Sequence, residues 1–302
     1  MSVHNSIKYL KESIESILNQ TFVDFEFIII DDGSTDGSTD LLRDYASRDS
    51  RIRLYIQENI GLTKSLNRGI SVAKSEFIAR MDGDDISLPN RLKVQLNFIQ
   101  KHENLGAIGG SPIYIDEKNR PLFQREMPLS HEEICHCHLT GCGGFIAHPS
   151  ALIRSEALKQ VSGYDECLAY AQDYDLWCRL ARNWKLRNLP DALILYRFHQ
   201  GGITICKRDE QDKLTKKILN RELTLLGHNS PLELKECYKI FPTNIFWVVD
   251  KSSKLGYFST TFYYGIKIYK NSIKNTYFAA KKIFISFLCK LRKPSNCASS
   301  FN

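Results

Sequence analysis

The stretch "FIARMDGDDISLPNRL" at residues 77–92 places three carboxylates directly after a short apolar run. The run predicts a buried β-strand over residues 76–81, and Pro89 predicts the start of a helix over residues 90–102. Asp82, Asp84 and Asp85 therefore lie between a strand and a helix, where like charges repel one another unless a cation joins them. The stretch thus predicts a strand–turn–helix unit whose turn binds something positive.

The same alternation of strand and helix runs through the first 110 residues. Strands are predicted at 25–30, 51–56, 76–81 and 106–110, and helices at 6–19, 38–47, 61–74 and 90–102. This spacing predicts an α/β fold with a parallel sheet and helices on both faces. Ligands of such sheets bind beyond the carboxyl ends of the strands. A further helix is predicted at 173–183, in a less regular part of the chain.

A second acidic cluster, Asp31 and Asp32, follows the strand predicted at 25–30. Because Asp and Gly are also common turn residues, the run "DDGSTDGS" by itself fits a plain turn as well as a binding site. Two acidic clusters at successive strand ends favour a hard divalent cation, Mg²⁺ or Mn²⁺. The phosphates of a nucleoside diphosphate commonly complete the coordination of such an ion.

Five segments carry a resemblance to a known family. They are "IIIDDGSTDGS" (28–38), "NIGLTKSLNRGI" (59–70), "FIARMDGDDISLPNRL" (77–92), "HPSALIRSEALKQVSGYDE" (148–166) and "AQDYDLWCRLA" (171–181). In order and spacing they resemble family 2 glycosyltransferases over about residues 1–200. The resemblance implies the GT-A fold, a Rossmann-like and mostly parallel sheet with flanking helices. It also implies an inverting, metal-dependent transfer of a sugar from a nucleotide-sugar donor.

The resemblance further implies which residues hold the donor. Asp32, with Asp31 beside it, matches the residue that binds the donor's base, and Val3 matches the end of a strand that touches the same base. Asp82, the first carboxylate of the D-x-D motif, matches a ribose or sugar contact. Lys64 matches a position near the donor phosphates, although a solvated helix face explains a lysine there equally well.

The metal and the catalytic base are implied by later segments. Asp84 matches the metal ligand of the D-x-D motif, with Mn²⁺ or Mg²⁺ as the cofactor. His199, in "YRFHQGG", matches a further metal or phosphate contact of some members, and the alternative is a loop histidine near the rim of the site. Asp173 matches the base that takes the proton of the acceptor hydroxyl, with Gln172 where the family often has Glu. Asp175 is expected to be structural.

The start of the chain departs from the family. The segment "MSVHN" at residues 1–5 matches only the end of the family's first strand, which implies that most of this strand is missing and that neighbouring strands have unpaired edges. A second interpretation is therefore a non-catalytic remnant that binds a nucleotide sugar without turning it over. A third is a phosphotransferase with a nucleophilic aspartate in "MDGDD", although the lysine and acidic pair that such enzymes need do not follow in the required order.

Composition predicts two domains, a catalytic domain at 1–205 and a helical extension at 206–302. Residues 251–302 contain ten Lys and Arg residues and no Asp or Glu. Residues 278–293 predict an amphipathic helix with a basic face, which suits an anionic membrane surface. The alternative is a helix packed on the catalytic domain. No nucleic-acid recognition motif accompanies the charge, so nucleic acid is not an expected partner.

Hydropathy and cysteine content limit the class of protein. The chain has 302 residues, and no stretch approaches the 18 consecutive apolar residues of a membrane-spanning helix. The nine cysteines are scattered and odd in number, which indicates reduced thiols. With the resemblance, this predicts a cytoplasmic enzyme at the inner face of the plasma membrane. The implied donor is a UDP-sugar, the acceptor a saccharide or lipid-linked saccharide, and the process bacterial surface polysaccharide synthesis.

Overall fold

The computed structural model describes residues 1–139 and 144–226. All of these residues belong to the first of two units, Met1–Ile240, while the second unit, Phe241–Asn302, lies outside the described residues. The amphipathic helix predicted at 278–293 therefore also lies outside them. Within the described residues, every helix is too short or too polar to cross a membrane.

Two sheets contain the strands of the described residues. The strands are β1 (Ser2–Val3), β2 (Phe27–Asp32), β3 (Ile52–Gln57), β4 (Phe77–Ala79), β5 (Ile86–Ser87), β6 (Leu105–Ile115), β7 (Pro121–Gln124), β8 (Leu152–Arg154) and β9 (Lys185–Arg197). The first sheet is parallel, in the order β1-β2-β3. The second has the order β4-β8-β6-β9-β5, with β7 paired to β6. It is mixed, because β8 runs antiparallel to both β4 and β6 while β6 and β9 are parallel.

Helices flank both sheets. The helices of the described residues are α1 (Ile7–Leu18), α2 (Ser38–Arg48), α3 (Leu62–Val72), α4 (Arg91–Ile99), α5 (His131–His138), α6 (Ser155–Gln160), α7 (Gln172–Leu180), α8 (Ile203–Cys206) and α9 (Arg208–Leu225). The five helices predicted between residues 6 and 183 are all present, with small shifts at their ends. The alternation of strands and helices confirms the predicted α/β fold class.

Close packing between β6 and β9 depends on glycine. A Cβ atom added at Gly106 would lie 2.6 Å from the Cβ of Trp184, and one added at Gly110 would lie 2.4 Å from a side-chain carbon of Leu193. No side chain fits at such distances without displacing a neighbour. The sequence "GAIGG" at 106–110 therefore lets the longest strand pair of the second sheet come together. Because β9 is held by this pairing, Arg197 at its end and His199 just after it lie next to the acidic turn.

The first strand is short but holds its place. In β1, Ser2 pairs with Ile30 and Val3 with Asp31, and an isolated bridge joins Ser2 to Asp82. The Met1 amine donates a hydrogen bond to the carbonyl of Ile28 at 2.9 Å, and burial lowers its pKa to about 5. The two residues of β1 thus link the two sheets at the end where both acidic clusters lie.

Apolar faces of the helices cover the parallel sheet. Leu10 and Ile14 of α1 and Leu42 of α2 are fully buried, and they pack with Ile29 of β2 in one hydrophobic cluster. The spacing of Leu10 and Ile14 places both on the same face of α1. This packing fixes β2 and its acidic end relative to α1, whose first turn borders the candidate site.

Candidate active site

A cleft opens at the carboxyl ends of β2 and β4. Its lining includes Asp32, Lys64, Asp82, Asp84 and His199. These five residues come from four separate segments of the sequence, and all five were predicted as site residues. The cleft thus combines carboxylates, a histidine and an exposed lysine, as the binding of a metal-chelated anion requires.

Val3, Asp31 and Asp173 are not among the described residues that line this cleft. Val3 is buried in β1, and its neighbours Ser2 and His4 line the cleft instead. Asp31 is fully buried, and its carboxylate accepts hydrogen bonds from the backbone N–H of Ser34 at 3.1 Å and the hydroxyl of Thr39 at 2.5 Å. Asp31 therefore holds the turn after β2.

Asp32 shapes the loop before α3. Its carboxylate accepts hydrogen bonds from the backbone N–H groups of Ile60 and Gly61, both at 2.9 Å, and from the side-chain amide of Gln57 at 2.7 Å. Burial alone would raise the pKa of Asp32, but these hydrogen bonds lower it below its ordinary value. The carboxylate stays ionised and fixes the start of the helix that carries Lys64.

The acidic turn, Asp82 to Asp85, is different. Carboxylate oxygens of Asp82, Asp84 and Asp85 all lie within 4.8 Å of one another. Burial and the charges of Asp84 and Asp82 raise the pKa of Asp85 well above its ordinary value. Burial also raises the pKa of Asp82. Three carboxylates this close are unfavourable in the ionised form unless cations join them.

Buried arginines supply part of that positive charge. Arg80 is 6% exposed and forms an ion pair with Asp82. Arg91, 1% exposed, donates a hydrogen bond to the carbonyl of Arg80 at 2.7 Å, and burial with the nearby charge of Arg80 lowers its pKa to about 9. Arg197 donates its backbone N–H to Asp85 and its Nε–H to the carbonyl of Asp84, both at 2.7 Å.

The sequence analysis missed the roles of these arginines and of Asp85. Arg80 and Arg91 belong to the stretch 77–92 itself, and an arginine inside an apolar run was the available signal. Arg197 comes from the end of β9, more than a hundred residues away, and gave no local signal. Arginine side chains of the turn's own segment and of β9 therefore stabilise the acidic turn.

The open side of the turn fits a metal ion. Asp82 is engaged by Arg80, and Asp85 accepts from the backbone of Arg197. Asp84 faces the cleft, with an oxygen 2.9 Å from Nε2 of His199. A carboxylate beside an imidazole, with further carboxylate oxygens close by, offers the ligands that Mn²⁺ accepts. Asp84 and His199 are thus the residues best placed to hold a divalent cation.

Asp173 lies in the first turn of α7, half buried. Ala171, the residue just before α7, has a φ of 56°, a strained value for a residue other than glycine. Burial raises the pKa of Asp173, while the backbone N–H of Tyr174 and the charge of Arg80 partly offset this effect. The charge of Asp82 also acts on Asp173. Asp173 is therefore near enough to the acidic turn to share its electrostatic field.

The family model and the similar sequences agree that the relatives of this chain are glycosyltransferases. The model of "Glycosyl transferase family 2" matches residues 1–162. An uncharacterized glycosyltransferase of Haemophilus influenzae is 29% identical over 262 residues, covering 83% of this chain and 80% of the relative. The O-antigen biosynthesis glycosyltransferase WbnJ of Escherichia coli is 34% identical over 204 residues, covering 66% of this chain and 78% of WbnJ.

Solved structures share the fold at low sequence identity. Residues 1–349 of S. aureus TarS, in complex with UDP-GlcNAc, superimpose with a TM-score of 0.60 at 21% identity, covering 79% of this chain and 68% of that fragment. The mannosyltransferase PcManGT of Pyrobaculum calidifontis, in complex with GDP-Man and Mn²⁺, gives 0.59 at 15% identity, covering 97% and 79%. The family match over more than half of the sequence and the agreement in fold show that this chain is a glycosyltransferase of family 2 with the GT-A fold.

Proposed function

We propose that the protein is an inverting, metal-dependent glycosyltransferase that moves a sugar from a nucleoside-diphosphate donor to a hydroxyl of a saccharide or lipid-linked acceptor. One observation carries the proposal. Three carboxylates cluster within 4.8 Å, and Asp84, which lines the cleft beside Asp82, pairs with His199 in the same cleft as Asp32 and Lys64. This arrangement suits a diphosphate that binds through a divalent cation.

The donor is placed by residues at both strand ends. Asp32 lines the cleft, and in this proposal its carboxylate accepts a further hydrogen bond from the base. Asp82, held by Arg80, accepts from hydroxyl groups of the ribose or the sugar. Lys64 is exposed on the first turn of α3 and donates to the diphosphate. UDP is the favoured nucleotide, supported by the UDP-GlcNAc bound to TarS, and GDP is the alternative offered by PcManGT.

The chemistry is a single displacement at the anomeric carbon. Asp173 takes the proton of the acceptor hydroxyl as the oxygen attacks, so the configuration of the sugar inverts. Its raised pKa improves the match to a hydroxyl proton at neutral pH, because a base works best when its pKa lies near the working pH. Asp84 and His199 would hold the divalent cation, whose charge would stabilise the departing diphosphate.

A transfer assay with candidate donors tests this mechanism. With Mn²⁺ present, one nucleotide sugar should be consumed, and EDTA should stop its consumption. The variant Asp173→Asn keeps the shape of the base but cannot accept the proton. We expect it to lower kcat by a factor on the order of 10²–10⁴, with little change in donor KM. Activity that survives both EDTA and this substitution would refute the proposal.

The alternative is a non-catalytic remnant that binds a nucleotide sugar without turning it over. It predicts metal-dependent nucleotide binding with no turnover of any donor. Ser2 and His4 line the cleft at the end of β1, which favours the proposed enzyme over the remnant. A well-folded protein that binds a nucleotide but neither hydrolyses nor transfers any tested sugar would favour the remnant.

We also propose that the basic segment from Lys251 to Asn302 brings the enzyme to an anionic membrane surface at the inner face of the plasma membrane. The family relative WbnJ acts in O-antigen biosynthesis, which is consistent with a role in surface polysaccharide synthesis. The full chain should sediment with vesicles that contain anionic lipid and not with neutral vesicles. Replacement of Lys281, Lys282, Lys290 and Lys293 by Gln should reduce this binding. Equal binding to both kinds of vesicle would contradict the electrostatic attachment.

A further inference from the structure

A buried ion-pair network joins α9 to α7. Asp175, in α7, is completely buried, yet it carries a carboxylate. It accepts hydrogen bonds from Nε of Arg179 and from Nη1 of Arg221, both at 2.7 Å. Arg179 belongs to α7 itself, whereas Arg221 belongs to α9. The second helix therefore contributes a charge that the buried carboxylate of the first requires.

A second ion pair runs between the same two regions through Glu222, which also accepts from Nε of Arg221 at 2.8 Å and from Nη2 of Arg221 at 2.6 Å. Its own arginine, Arg182, pairs with Glu222 and not with Asp175. Glu222 of α9 accepts from Nη2 of Arg182, just beyond the end of α7, at 2.7 Å. Apolar packing accompanies both pairs, because Ile218 of α9 lies in one hydrophobic cluster with Tyr174 and Cys178 of α7. The chain thus offers two ion pairs between the regions, of which one ends on the turn that carries Asp173.

The helix geometry links Asp175 to Asp173. Residues that are two positions apart on an α-helix are separated by about 200° around the axis, so their side chains point to nearly opposite sides. Asp175 is bound by Arg221 and Arg179, so the helix geometry places the side chain of Asp173 on nearly the opposite side of α7. A clamp on Asp175 therefore limits rotation of the first turn of α7 and sets the direction of Asp173.

The network continues to the helix that carries Lys64. Nη1 of Arg179 donates to the carbonyls of Val161 at 2.6 Å and Gly163 at 2.8 Å. The side chain of Asn67, in α3, accepts from the backbone N–H of Tyr164 and donates to its carbonyl, both at 2.9 Å. Gly163 has a φ of +68°, and a Cβ there would lie 2.7 Å from Oδ1 of Asn67. One continuous set of polar contacts therefore joins α9, α7 and α3.

We propose that Asp175 and Arg221 are positioning residues that hold the first turn of α7 so that Asp173 meets the acceptor hydroxyl. The inference rests on the proposed role of Asp173 as the base. It assigns a catalytic contribution to α9, which follows the two sheets in the sequence and lies outside the cleft lining. The hydrogen bonds of Asp32 and Asp84 involve other residues than Asp175 and Arg221, so we expect donor binding to change less than kcat.

The variants Arg221→Gln and Arg182→Gln test the inference as a matched pair. Each removes one arginine of an α7–α9 ion pair, but only the first reaches Asp175. We expect Arg221→Gln to lower kcat by roughly tenfold or more with donor KM changed less than about twofold, because a misplaced group loses transition-state contacts and keeps ground-state binding. Arg182→Gln should keep kcat near wild type, and Arg221→Lys should recover much of the loss.

The assays are run below the melting temperature of each variant, so that loss of folded protein does not enter kcat. Asp175→Asn, which keeps the shape and removes the charge, carries the same test if Arg221→Gln does not fold. Wild-type kcat in a folded Arg221→Gln or Asp175→Asn protein would overturn the inference, as would an equal fall in both members of the arginine pair. Full activity of Asp173→Asn would instead overturn the proposed base, so the two failures are distinguishable.

Discussion

The two acidic strand ends look alike in sequence and differ in their partners. After β2, Asp31 and Asp32 accept hydrogen bonds from neutral backbone, hydroxyl and amide donors. After β4, the carboxylates from Asp82 to Asp85 crowd one another, with buried arginines behind them and His199 in front. The pKa of Asp32 is lowered, while those of Asp82 and Asp85 are raised.

This difference shows what makes a carboxylate available to a ligand. Neutral donors that fill its lone pairs stabilise the ionised form and use it as part of a turn. Carboxylates that crowd one another repel, and a divalent cation bound between them relieves this repulsion. The turn after β2 therefore mainly shapes the cleft, and the turn after β4 supplies the negative charge that attracts a cation.

The largest expected effect separates the two turns by activity. Asp84→Ala removes the carboxylate that faces the cleft beside His199, and we expect a loss of roughly 10³-fold in kcat/KM because charge on the leaving diphosphate is no longer neutralised. Asp31→Asn, its matched control in the other turn, should change kcat/KM less than about threefold. Steady-state kinetics with saturating Mn²⁺ measure both, and similar losses in the two variants would break the comparison.

A smaller effect is expected at Asp32, which belongs to both turn and cleft. Asp32→Asn weakens the hydrogen bonds to Ile60 and Gly61, and we expect a loss of about 1–3 kcal/mol in the free energy of unfolding together with weaker donor binding. Because the folded-state pKa is lowered, the stabilisation by Asp32 is present above the pKa of the unfolded chain. It is lost as pH falls through the folded-state pKa.

Denaturant unfolding at pH 7 and near pH 3 measures this effect. The difference between wild type and Asp32→Asn should shrink at the lower pH, which lies below the ordinary pKa of aspartate, because the unfolded chain takes up a proton there. A difference that is equal at both pH values would show that the charge of Asp32 does not stabilise the loop.

The pH dependence of activity sharpens the contrast between Asp32 and Asp173. Because burial raises the pKa of Asp173, kcat should fall as pH drops through a value above the ordinary range of aspartate. Asp32, with its lowered pKa, stays ionised through the same range. A pH profile of kcat at saturating donor and Mn²⁺ measures this. An acid limb at or below the ordinary aspartate pKa would contradict the assignment of Asp173 as a buried base.

The smallest effect belongs to Asp31 and concerns stability alone. Asp31→Asn keeps one oxygen, which can still accept from the backbone N–H of Ser34, but puts an amide group in place of the oxygen that accepts from Thr39 and removes the charge. We therefore expect a loss of about 1 kcal/mol in the free energy of unfolding. A thermal melt detects this loss. A change in nucleotide affinity larger than the change in stability would show that Asp31 contacts the donor after all.

Local patterns predicted most of the first half of the fold. The helix at 7–18 and the strand at 27–32 follow from apolar periodicity and from turn residues next to them in the sequence. Asp32, Asp82 and Asp84 could be placed in one cleft because ligands of α/β folds bind beyond the carboxyl ends of the strands. The sequence did not show that β2 and β4 belong to different sheets, which β1 links through the bridge from Ser2 to Asp82. The mixed order of the second sheet had no such local signal, since β8 enters it between β4 and β6 from far along the chain.

The rest of the site depends on contacts between distant residues. Asp31 and Asp32 are adjacent and chemically identical, and only the folded structure shows that one carboxylate turns inward to Thr39 while the other lines the cleft. The partners Arg197 and Arg221 reach Asp85 and Asp175 from other elements. Pairings of this kind follow from the tertiary fold, so residue type and spacing alone did not indicate them.

A thermal-shift titration with nucleoside diphosphates tests the central claim most directly, that the turn after β4 binds a metal-chelated diphosphate. A ligand that binds the native state raises its melting temperature. UDP or GDP should stabilise the wild-type protein and Asp31→Asn in the presence of Mn²⁺, and the stabilisation should be lost without Mn²⁺ or in Asp84→Ala. An equal stabilisation without the metal, or in Asp84→Ala, would contradict the claim.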